Sequence, residues 1–403
     1  MRVNQKSILS KVILLSLFFS YACTSSSDSE ERVSISEMNI SKNKYQLIPT
    51  DTLQIKVDSM AKVDNYLYKL YENAGESWFT DYDEGKRSIH FYSLTDLKKT
   101  KEVKLNEDGP NAIEDPENYY VHNLDSIFTI SYESGMIYLI NDKGELKNKW
   151  KVDYPLPNHS FDYEIGASVN FTFEYSYSKQ TIHFSVIPSL NANEQAYFEH
   201  PLIAELNLST KKIMHYYAKY PMMYQKRGLF TTLDEVGMAV TPQFDIVYFM
   251  ASPNLYLYNS DNKELLKIIN AKSKYAKKEI EPITKFGTQP ELNQQRKYYI
   301  EADVYDKVLF HNKHPYIYRI IKLGSEFKTL EGTITQNDDF SYSVMIFTKD
   351  FELVNEVLLP KHTYKPNIVL LTEKGLLLSL NNGKNPSHLE DMIQFAVLEP
   401  QKL

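Results

Sequence analysis

The sequence predicts an all-β fold, a six-bladed β-propeller, on three observations: a repeated hairpin, one complete four-stranded repeat, and strand-like segments near both ends that can complete one sheet. In each hairpin, a run of β-branched and aromatic residues reaches a polar turn, and a second strand follows. Repeats of this kind indicate one propeller or solenoid rather than several unrelated domains. The five copies of the hairpin are 88–105, 136–152, 202–217, 254–269 and 344–359.

The clearest repeat spans residues 118–152. It alternates β-forming runs with a Glu-Ser-Gly turn and an Asn-Asp-Lys-Gly turn, and therefore predicts a meander of four strands. A four-stranded unit of about 35 residues is close to the size of one propeller blade. An apolar strand also precedes the hairpin in each copy. These strands are 78–82, 126–132, 181–187, 245–251 and 307–311.

The last repeat is incomplete and predicts how the ring closes. Residues 367–372, 376–380 and 392–398 form three predicted strands without a clear outer strand, whereas residues 47–57 form a strand-like segment without a partner. Pairing that segment with the last repeat closes the ring and removes an exposed sheet edge. The sequence therefore predicts six blades, with a seven-bladed propeller and a pair of β-sandwiches as the alternatives.

The unequal spacing of the hairpins predicts insertions between the blades. Few helices are expected, and residues 272–280 are the candidate for a short one. The predicted insertions are 189–200, 220–243, 270–296 and 324–339.

The first 22 residues have the pattern of a secretory signal. Arg2, Lys6 and Lys11 form a basic head, and an apolar run follows from Val12 to Phe19. This run is too short to cross a hydrocarbon layer of roughly 30 Å, which needs about 20 residues. We therefore interpret residues 1–22 as a cleaved signal peptide.

Cys23 is the only cysteine of the chain and follows the small residue Ala22. A single thiol at the end of an export signal indicates a bacterial lipid-attachment site, and several acyl chains anchor a protein stably. Residues 23–43 are predicted as a flexible polar tether and residues 44–403 as a single propeller. The predicted location is the cell envelope, at the outer membrane, on its periplasmic or its surface side.

Charge limits the partners of the mature chain. Removal of residues 1–22 takes away three basic residues and changes the formal net charge from −7 to −10. This acidic balance argues against nucleic acid and against an anionic membrane face as partners. Contact with the membrane is expected through the lipid on Cys23 alone.

Three segments carry a resemblance to a known family. Residues Glu107–Ile113, Leu124–Ser131 and Ile137–Leu146 resemble an uncharacterised family of Bacteroidetes lipoproteins, the domain of unknown function 4221, and the related six-bladed propeller lipoproteins. Residues Leu309–Ile320 are similar to a segment of those proteins in which an aromatic pair precedes an arginine. The resemblance implies an exported propeller lipoprotein and implies no activity.

No catalytic, metal or cofactor motif stands out. The sequence has no G-x-S-x-G, P-loop or dinucleotide fingerprint. The acidic run Asp81–Gly85 lacks the spacing of a calcium loop, and His311 and His314 lack the further ligands of a zinc site, so both are interpreted as turns. Asp108–Asn111 is interpreted as a turn that crosses between blades.

Three further residue groups are interpreted as structural. The histidines His90, His183 and His215 lie within predicted strands and are expected to pack or to make hydrogen bonds. Most of the 31 tyrosines are expected in blade packing, because tyrosine suits a half-buried sheet. The basic stretch Lys263–Lys278 is predicted to be a solvated insertion.

The sequence favours a non-catalytic binding module for a protein or glycan ligand, without a cofactor. The first alternative is a carbohydrate-active hydrolase or lyase with its site at the mouth of the channel. The second alternative is a structural accessory subunit of an envelope complex. The residues that bind the ligand are not predicted.

Overall fold

The computed structural model describes residues 33–42, 44–57, 67–132, 134–152, 163–165, 173–176 and 179–403. The signal segment and Cys23 lie outside the described residues. Two strands of the N-terminal part come first, β1 (Ile35–Glu37) and β2 (Tyr45–Lys56). Six sheets follow around a common centre and form the six blades that the sequence predicts.

Each blade is an antiparallel sheet whose inner strand lies at the centre of the ring. Blade 1 consists of β3 (Tyr68–Asn73), β4 (Glu76–Asp83), β5 (Ser88–Ser93) and β6 (Lys98–Lys104). Blade 2 consists of β7 (Asn118–Asn123), β8 (Ser126–Ser131), β9 (Met136–Ile140) and β10 (Leu146–Lys151). Blade 3 consists of β11 (Tyr163–Ile165), β12 (Phe173–Ser176), β13 (Thr181–Pro188), β14 (Pro201–Asn207) and β15 (Lys212–Lys219), in which both β11 and β12 pair with β13.

The second half of the ring repeats this pattern. Blade 4 consists of β16 (Val236–Val240), β17 (Phe244–Phe249), β18 (Asn254–Asn259) and β19 (Leu265–Asn270). Blade 5 consists of β20 (Val304–Leu309), β21 (Tyr316–Leu323), β22 (Ser341–Thr348) and β23 (Leu353–Leu358). Blade 6 consists of β24 (Val369–Leu371), β25 (Leu376–Ser379) and β26 (Met392–Lys402), with β2 as its outer strand.

The five predicted hairpins are the last two strands in chain order of blades 1 to 5, and the predicted meander at 118–152 is blade 2. One strand is placed differently. Residues 307–311 were expected to lie next to the hairpin, but 307–309 belong to β20, the inner strand of blade 5, and β21 lies between β20 and the hairpin. A second apolar run, Tyr316–Leu323, forms β21.

The N-terminal strand closes the ring as predicted. Strand β2 pairs with β26 in antiparallel register from Tyr45 opposite Lys402 to Lys56 opposite Met392. Its inward residue Ile55 is fully buried in a cluster with Phe395 and residues of blade 1. The pairing gives blade 6 its fourth strand and covers the edge of β26.

Residues 33–42 lie along the rim of the propeller. The sequence places them in the tether, but β1 pairs in parallel with β19 of blade 4, where Ile35 is opposite Ile268. The backbone N–H of Leu353, in β23 of blade 5, then donates to the carbonyl of Asn39 at 2.7 Å. This segment, together with β2, therefore binds the outer edges of blades 4, 5 and 6.

The core lies between neighbouring blades. All six residues of β5 are buried, because blades cover both faces of this sheet. Between blades 1 and 2, for example, Ile89 and Phe91 pack with Ile127 and Ile140. The outer strand β6 instead buries Val103 and exposes most of its other residues.

The insertions hold the few helices of the described residues. These are α1 (Met222–Arg227), α2 (Leu292–Glu301) and the 3₁₀ turns Gln195–Glu199 and Asn337–Asp339. The predicted helix at 272–280 is wrong. The backbone N–H of Lys274 donates to Glu356 Oε2 at 2.8 Å and that of Lys277 donates to Asp303 Oδ2 at 2.8 Å. These side-chain acceptors take the donors that a helix would use.

Candidate functional site

The inner strands surround a cavity at the centre of the ring. The cavity has a volume of about 200 Å³ and is lined by the inner strands of blades 1, 3, 4, 5 and 6. Inner strands have one unpaired edge, so backbone donors and acceptors face the channel as well as side chains. The charged residues of its wall are Lys69, Glu174, Glu235, Asp306 and Lys307.

One ion pair spans the channel wall. Lys69 Nζ, in blade 1, lies 3.6 Å from Glu174 Oε1 in blade 3. The pair therefore connects two blades that are not neighbours in the ring. Both side chains remain partly exposed, at 21% and 32%. Exposed pairs of this kind contribute at most about 1 kcal/mol, so the pair can reorganise around a ligand at low cost.

Lys307 crosses the opposite side of the channel. Its Nζ donates to the Tyr68 hydroxyl at 2.9 Å and to the Asn367 carbonyl at 2.8 Å. The same hydroxyl donates to the Asn367 carbonyl at 2.7 Å and accepts from the N–H of Val369 at 3.0 Å. Burial alone would lower the pKa of Lys307, but the neighbouring Tyr68 and Asp306 raise it, so the ammonium stays charged.

Asp306 reaches the channel through a β-bulge. Strand β20 pairs Tyr305 with Ile321 and then Lys307 with Ile320, so Asp306 is an extra residue. Bulges redirect side chains and are common beside functional sites. Burial raises the pKa of Asp306, although Lys307 and Lys322 oppose the shift.

An aromatic side chain forms part of the channel wall. Gly237 in β16 is opposite Tyr248 in β17, and the tyrosine ring lies over the glycine. A Cβ atom at position 237 would come within 2.2 Å of the ring. Glycine is therefore required at this position to place Tyr248 against the cavity.

A second contact joins blades 1 and 5 near the ends of their inner strands. His311 Nε2 lies 2.6 Å from Glu72 Oε2. Burial raises the pKa of Glu72, but the hydrogen bond and the charge of His311 outweigh this and lower it. His314 Nδ1 accepts from the backbone N–H of Tyr316 at 3.2 Å. The prediction that His311 and His314 lie in a turn is confirmed.

A polar network is buried between blades 3 and 4. Lys263 Nζ lies 2.9 Å from Asp245 Oδ2 and 3.6 Å from Glu205 Oε1, and all three side chains are at most 2% exposed. The Tyr217 hydroxyl donates to Asp245 Oδ2 at 2.9 Å, and His183 Nδ1 lies 2.9 Å from that hydroxyl. The prediction that Lys263 is solvated is wrong, because this lysine turns inward at the tip of its hairpin.

The pKa values in this network follow from burial. Burial lowers the pKa of His183 well below its usual value, and Lys263 adds to the effect, so the imidazole is neutral. Burial raises the pKa of Asp245 against the opposing effect of Lys263. These groups are closed to solvent, so we interpret the network as structural rather than as a ligand site.

The arginine of the segment that resembles the family is also structural. Arg319 is fully buried and donates to the backbone carbonyls of Ser252 at 3.0 Å and Ala271 at 3.3 Å. Its guanidinium lies 4.4 Å from the centre of the Tyr305 ring. Arg319 therefore joins blade 5 to blade 4.

The turn predicted at Asp108–Asn111 is confirmed, whereas the turn predicted at Asp81–Gly85 begins only at Glu84, because residues 81–83 belong to β4. Asp81 lies in β4, 3.3 Å from His90 Nδ1, and Asp83 Oδ1 accepts from the N–H of Lys86 at 3.1 Å in the turn that follows. Asn111, between blades 1 and 2, accepts from the N–H of Leu146 at 3.1 Å. Over the ranges that the structure describes, no three His, Cys, Asp or Glu side chains are grouped as metal ligands.

Asp234, which precedes the channel residue Glu235, lowers the free energy of unfolding in a pH-dependent way. Burial raises the pKa of Asp234 to about 6. The unfolded chain has the lower pKa, so the buried charge destabilises the protein fully above pH 6 and not at all near pH 3. We expect Asp234→Asn to raise the free energy of unfolding at pH 8 by about 1–3 kcal/mol.

The measurement is urea unfolding of both proteins between pH 4 and pH 8. The gain should shrink as the pH falls below 6. The matched control is Asp125→Asn, because Asp125 is 77% exposed on blade 2. An equal gain at pH 4 and pH 8 would contradict the role of the buried charge.

The sequence did not identify Asp306 and Lys307. A signal was present, because two adjacent charges interrupt an otherwise largely apolar strand, Val304-Tyr-Asp-Lys-Val-Leu309. A strand that is buried by its neighbours rarely carries two such residues unless they face a cavity or each has a partner.

The blades and the cavity define the class of protein, a six-bladed β-propeller with a small polar cavity at its centre. The sequence profile of a family described as a domain of unknown function, DUF4221, matches residues 44–358. The chain therefore belongs to the DUF4221 family, as the resemblance predicts. It has no match among curated proteins.

Solved structures that share the fold include two from Bacteroides species. A DUF4221 member from Bacteroides vulgatus ATCC 8482 has 16% sequence identity and a TM-score of 0.76, over 90% of this chain and 100% of that chain. A protein from Bacteroides fragilis NCTC 9343, whose name marks it as exported, has 10% identity and a TM-score of 0.52, over 91% of this chain and 99% of that chain. At identities this low, the similarity establishes a common fold alone.

Proposed function

We propose that the protein is a binding module of the cell envelope, and that it takes a small polar ligand, or the polar end of a larger one, into the central channel. The observation that carries this proposal is the pair Asp306 and Lys307. Both line the cavity, and over the described part of the chain neither forms a salt bridge. The two charges act on each other and Lys322 acts on Asp306, but neither has an ion-pair contact, and a bound ligand would supply direct partners.

The size of the cavity limits the ligand. Sites for complete small molecules usually occupy about 300–1,000 Å³. The channel offers about 200 Å³, enough for one small molecule or one terminal group. A protein or a glycan would therefore insert one end and rest its remainder on the rim of the channel.

The envelope location rests on the N-terminal segment and on the relatives. Residues 1–22 have the pattern of an export signal, Cys23 stands at its end, and one structural relative is named as an exported protein. In the described residues, no helix has both the length and the hydropathy needed to cross a membrane. A lipid on Cys23 would supply the attachment.

The binding proposal is tested with the soluble chain that begins at residue 24. Glycan arrays and capture of envelope peptides identify a ligand, and calorimetry measures its affinity. We expect Glu174→Gln, which breaks the Lys69–Glu174 pair in the channel, to change the affinity at least threefold and Asp306→Asn to weaken it about tenfold or more.

The matched control is Glu264→Gln, because Glu264 is exposed in the hairpin between β18 and β19. This variant should bind like the natural protein. A ligand whose affinity is unchanged by both channel variants would refute the channel as the site. Cleavage of a glycan that depends on Glu174 or Asp306 would favour the hydrolase or lyase instead.

The anchor is tested separately in cells. We expect Cys23→Ala to abolish labelling by a fatty-acid analogue and to release the protein from the membrane fraction, because Cys23 carries the only thiol. Ser25→Ala, two residues further on, should keep both properties. Labelling that persists in Cys23→Ala would contradict the lipid attachment.

A further inference from the structure

Asp306 and Lys307, at the bulge of β20, carry opposite charges and line the same cavity. Lys307 donates its hydrogen bonds to the neutral oxygens of Tyr68 and Asn367, and over the described residues no hydrogen bond is made by the Asp306 side chain. We propose that the channel recognises the head group of an α-amino acid, with the ligand's ammonium on Asp306 and its carboxylate on Lys307. This inference rests on the proposed function of the channel as a ligand site.

The bulge explains why two adjacent residues can act together. Successive residues of a regular strand point to opposite faces, so residues 306 and 307 would normally diverge. The register shift between Tyr305 and Lys307 makes Asp306 an extra residue of β20, and both residues line the cavity. Both residues are half-buried, which leaves them accessible from the cavity.

Lys307 has one donor left for a ligand. An ammonium group has three N–H donors, and two of them reach the Tyr68 hydroxyl and the Asn367 carbonyl. These acceptors fix the position of Nζ but do not neutralise it. A carboxylate is the acceptor that completes both the hydrogen bonds and the charge.

Asp306 would bind the positively charged group of the ligand. Its carboxylate has two acceptor oxygens, and an ammonium group would donate to them. A ligand with only a negative charge would give Asp306 no direct ion-pair contact, and one with only a positive charge would give Lys307 none. A ligand with both charges on neighbouring atoms pairs both residues.

The rest of the wall fits a small side chain. Val236, Met238 and Val308 line the same cavity and provide apolar contacts. The free volume of about 200 Å³ suits a single amino acid or the terminal residue of a peptide-like chain with both groups free.

The experiment measures binding of D- and L-alanine, leucine and phenylalanine to the soluble chain by calorimetry. Each is compared with the analogue that lacks the ammonium, such as 4-methylpentanoate, and with the one that lacks the carboxylate, such as 3-methylbutylamine. We expect at least one amino acid to bind tenfold or more tighter than both analogues.

The variants connect each charge of the ligand to one residue. Asp306→Asn should weaken the amino acid about tenfold and leave the analogue without the ammonium unchanged. Lys307→Met should weaken the amino acid similarly and leave the analogue without the carboxylate unchanged. Asp125→Asn and Lys147→Met, which alter an exposed ion pair of blade 2, should change neither.

Three results would overturn the inference. The first is that the analogues bind as tightly as the amino acids. The second is that a variant with unchanged thermal unfolding loses the same affinity for every ligand. The third is no binding of any amino acid. If another ligand still binds and depends on Glu174, the proposed function stands and only the amino-acid inference fails. If no ligand depends on channel residues, both fail.

Discussion

A chain that begins at residue 57 is expected to lose cooperative folding. It lacks β2, which pairs with β26 over eleven residue positions and gives blade 6 its outer strand. Fully burying one large aliphatic side chain such as Ile55 contributes about 1.5–3 kcal/mol, and each backbone hydrogen bond contributes about 1 kcal/mol. The sum approaches the whole stability of a typical domain, about 5–15 kcal/mol.

The measurement is denaturant unfolding followed by circular dichroism. The matched control is a chain that begins at residue 44, which keeps β2 and removes residues 1–43, including the rim segment 33–42. We expect this control to fold and to lose about 1–3 kcal/mol, because β1 contributes only three paired residues. An unchanged unfolding midpoint for the chain that begins at 57 would show that β2 does not close the ring.

Lys263→Met is expected to destabilise the protein by about 3–5 kcal/mol at pH 8. The substitution leaves Asp245 and Glu205 buried without their shared cation, and an unpaired buried charge has a cost of this size. The loss of stability should become smaller as the pH is lowered. Burial already holds the pKa of Asp245 above its usual value, and loss of Lys263 raises it further. The folded state then binds more protons than the unfolded state, so acid relieves the cost.

Urea unfolding at pH 5 and pH 8 measures this effect. Lys147→Met is the matched control, because Lys147 belongs to an exposed pair, and it should cost less than about 1 kcal/mol. The double variant Lys263→Met with Glu205→Gln should recover part of the stability, because it removes one of the two unpaired carboxylates. A loss for Lys263→Met that is below 1 kcal/mol, or that grows in acid, would contradict this account of the network.

The blades were predictable because their signal is local. Within about 35 residues, each repeat alternates strands with polar turns. The strand at 47–57 had no partner in its own repeat, and the incomplete last repeat lacked an outer strand, so the two could be paired. The helix predicted at 272–280 failed because its competitors are distant. Glu356 and Asp303 accept the backbone N–H groups of that segment, and local propensity contains no information about them.

Burial of charges was the least predictable feature. Lys263 lies in a basic, polar stretch that is typical of a solvated loop, and only the packing of blade 3 against blade 4 brings Asp245 and Glu205 to it. The channel site depends on a register shift of one residue at Asp306, which strand periodicity does not reveal. Both features come from contacts between distant segments.

From the pairing of β2 with β26 we also expect an order of folding. The hydrogen bond from Thr50 Oγ1 to the Val397 carbonyl joins residues 347 positions apart. Closing so long a loop costs about 3 kcal/mol more entropy than closing a ten-residue hairpin. Blades 1 to 5 consist of neighbouring strands and can form early, whereas blade 6 waits until the last strand has been synthesised. Closure of the ring is therefore expected to be the slow step, and until then β26 has an open edge to which another chain could pair.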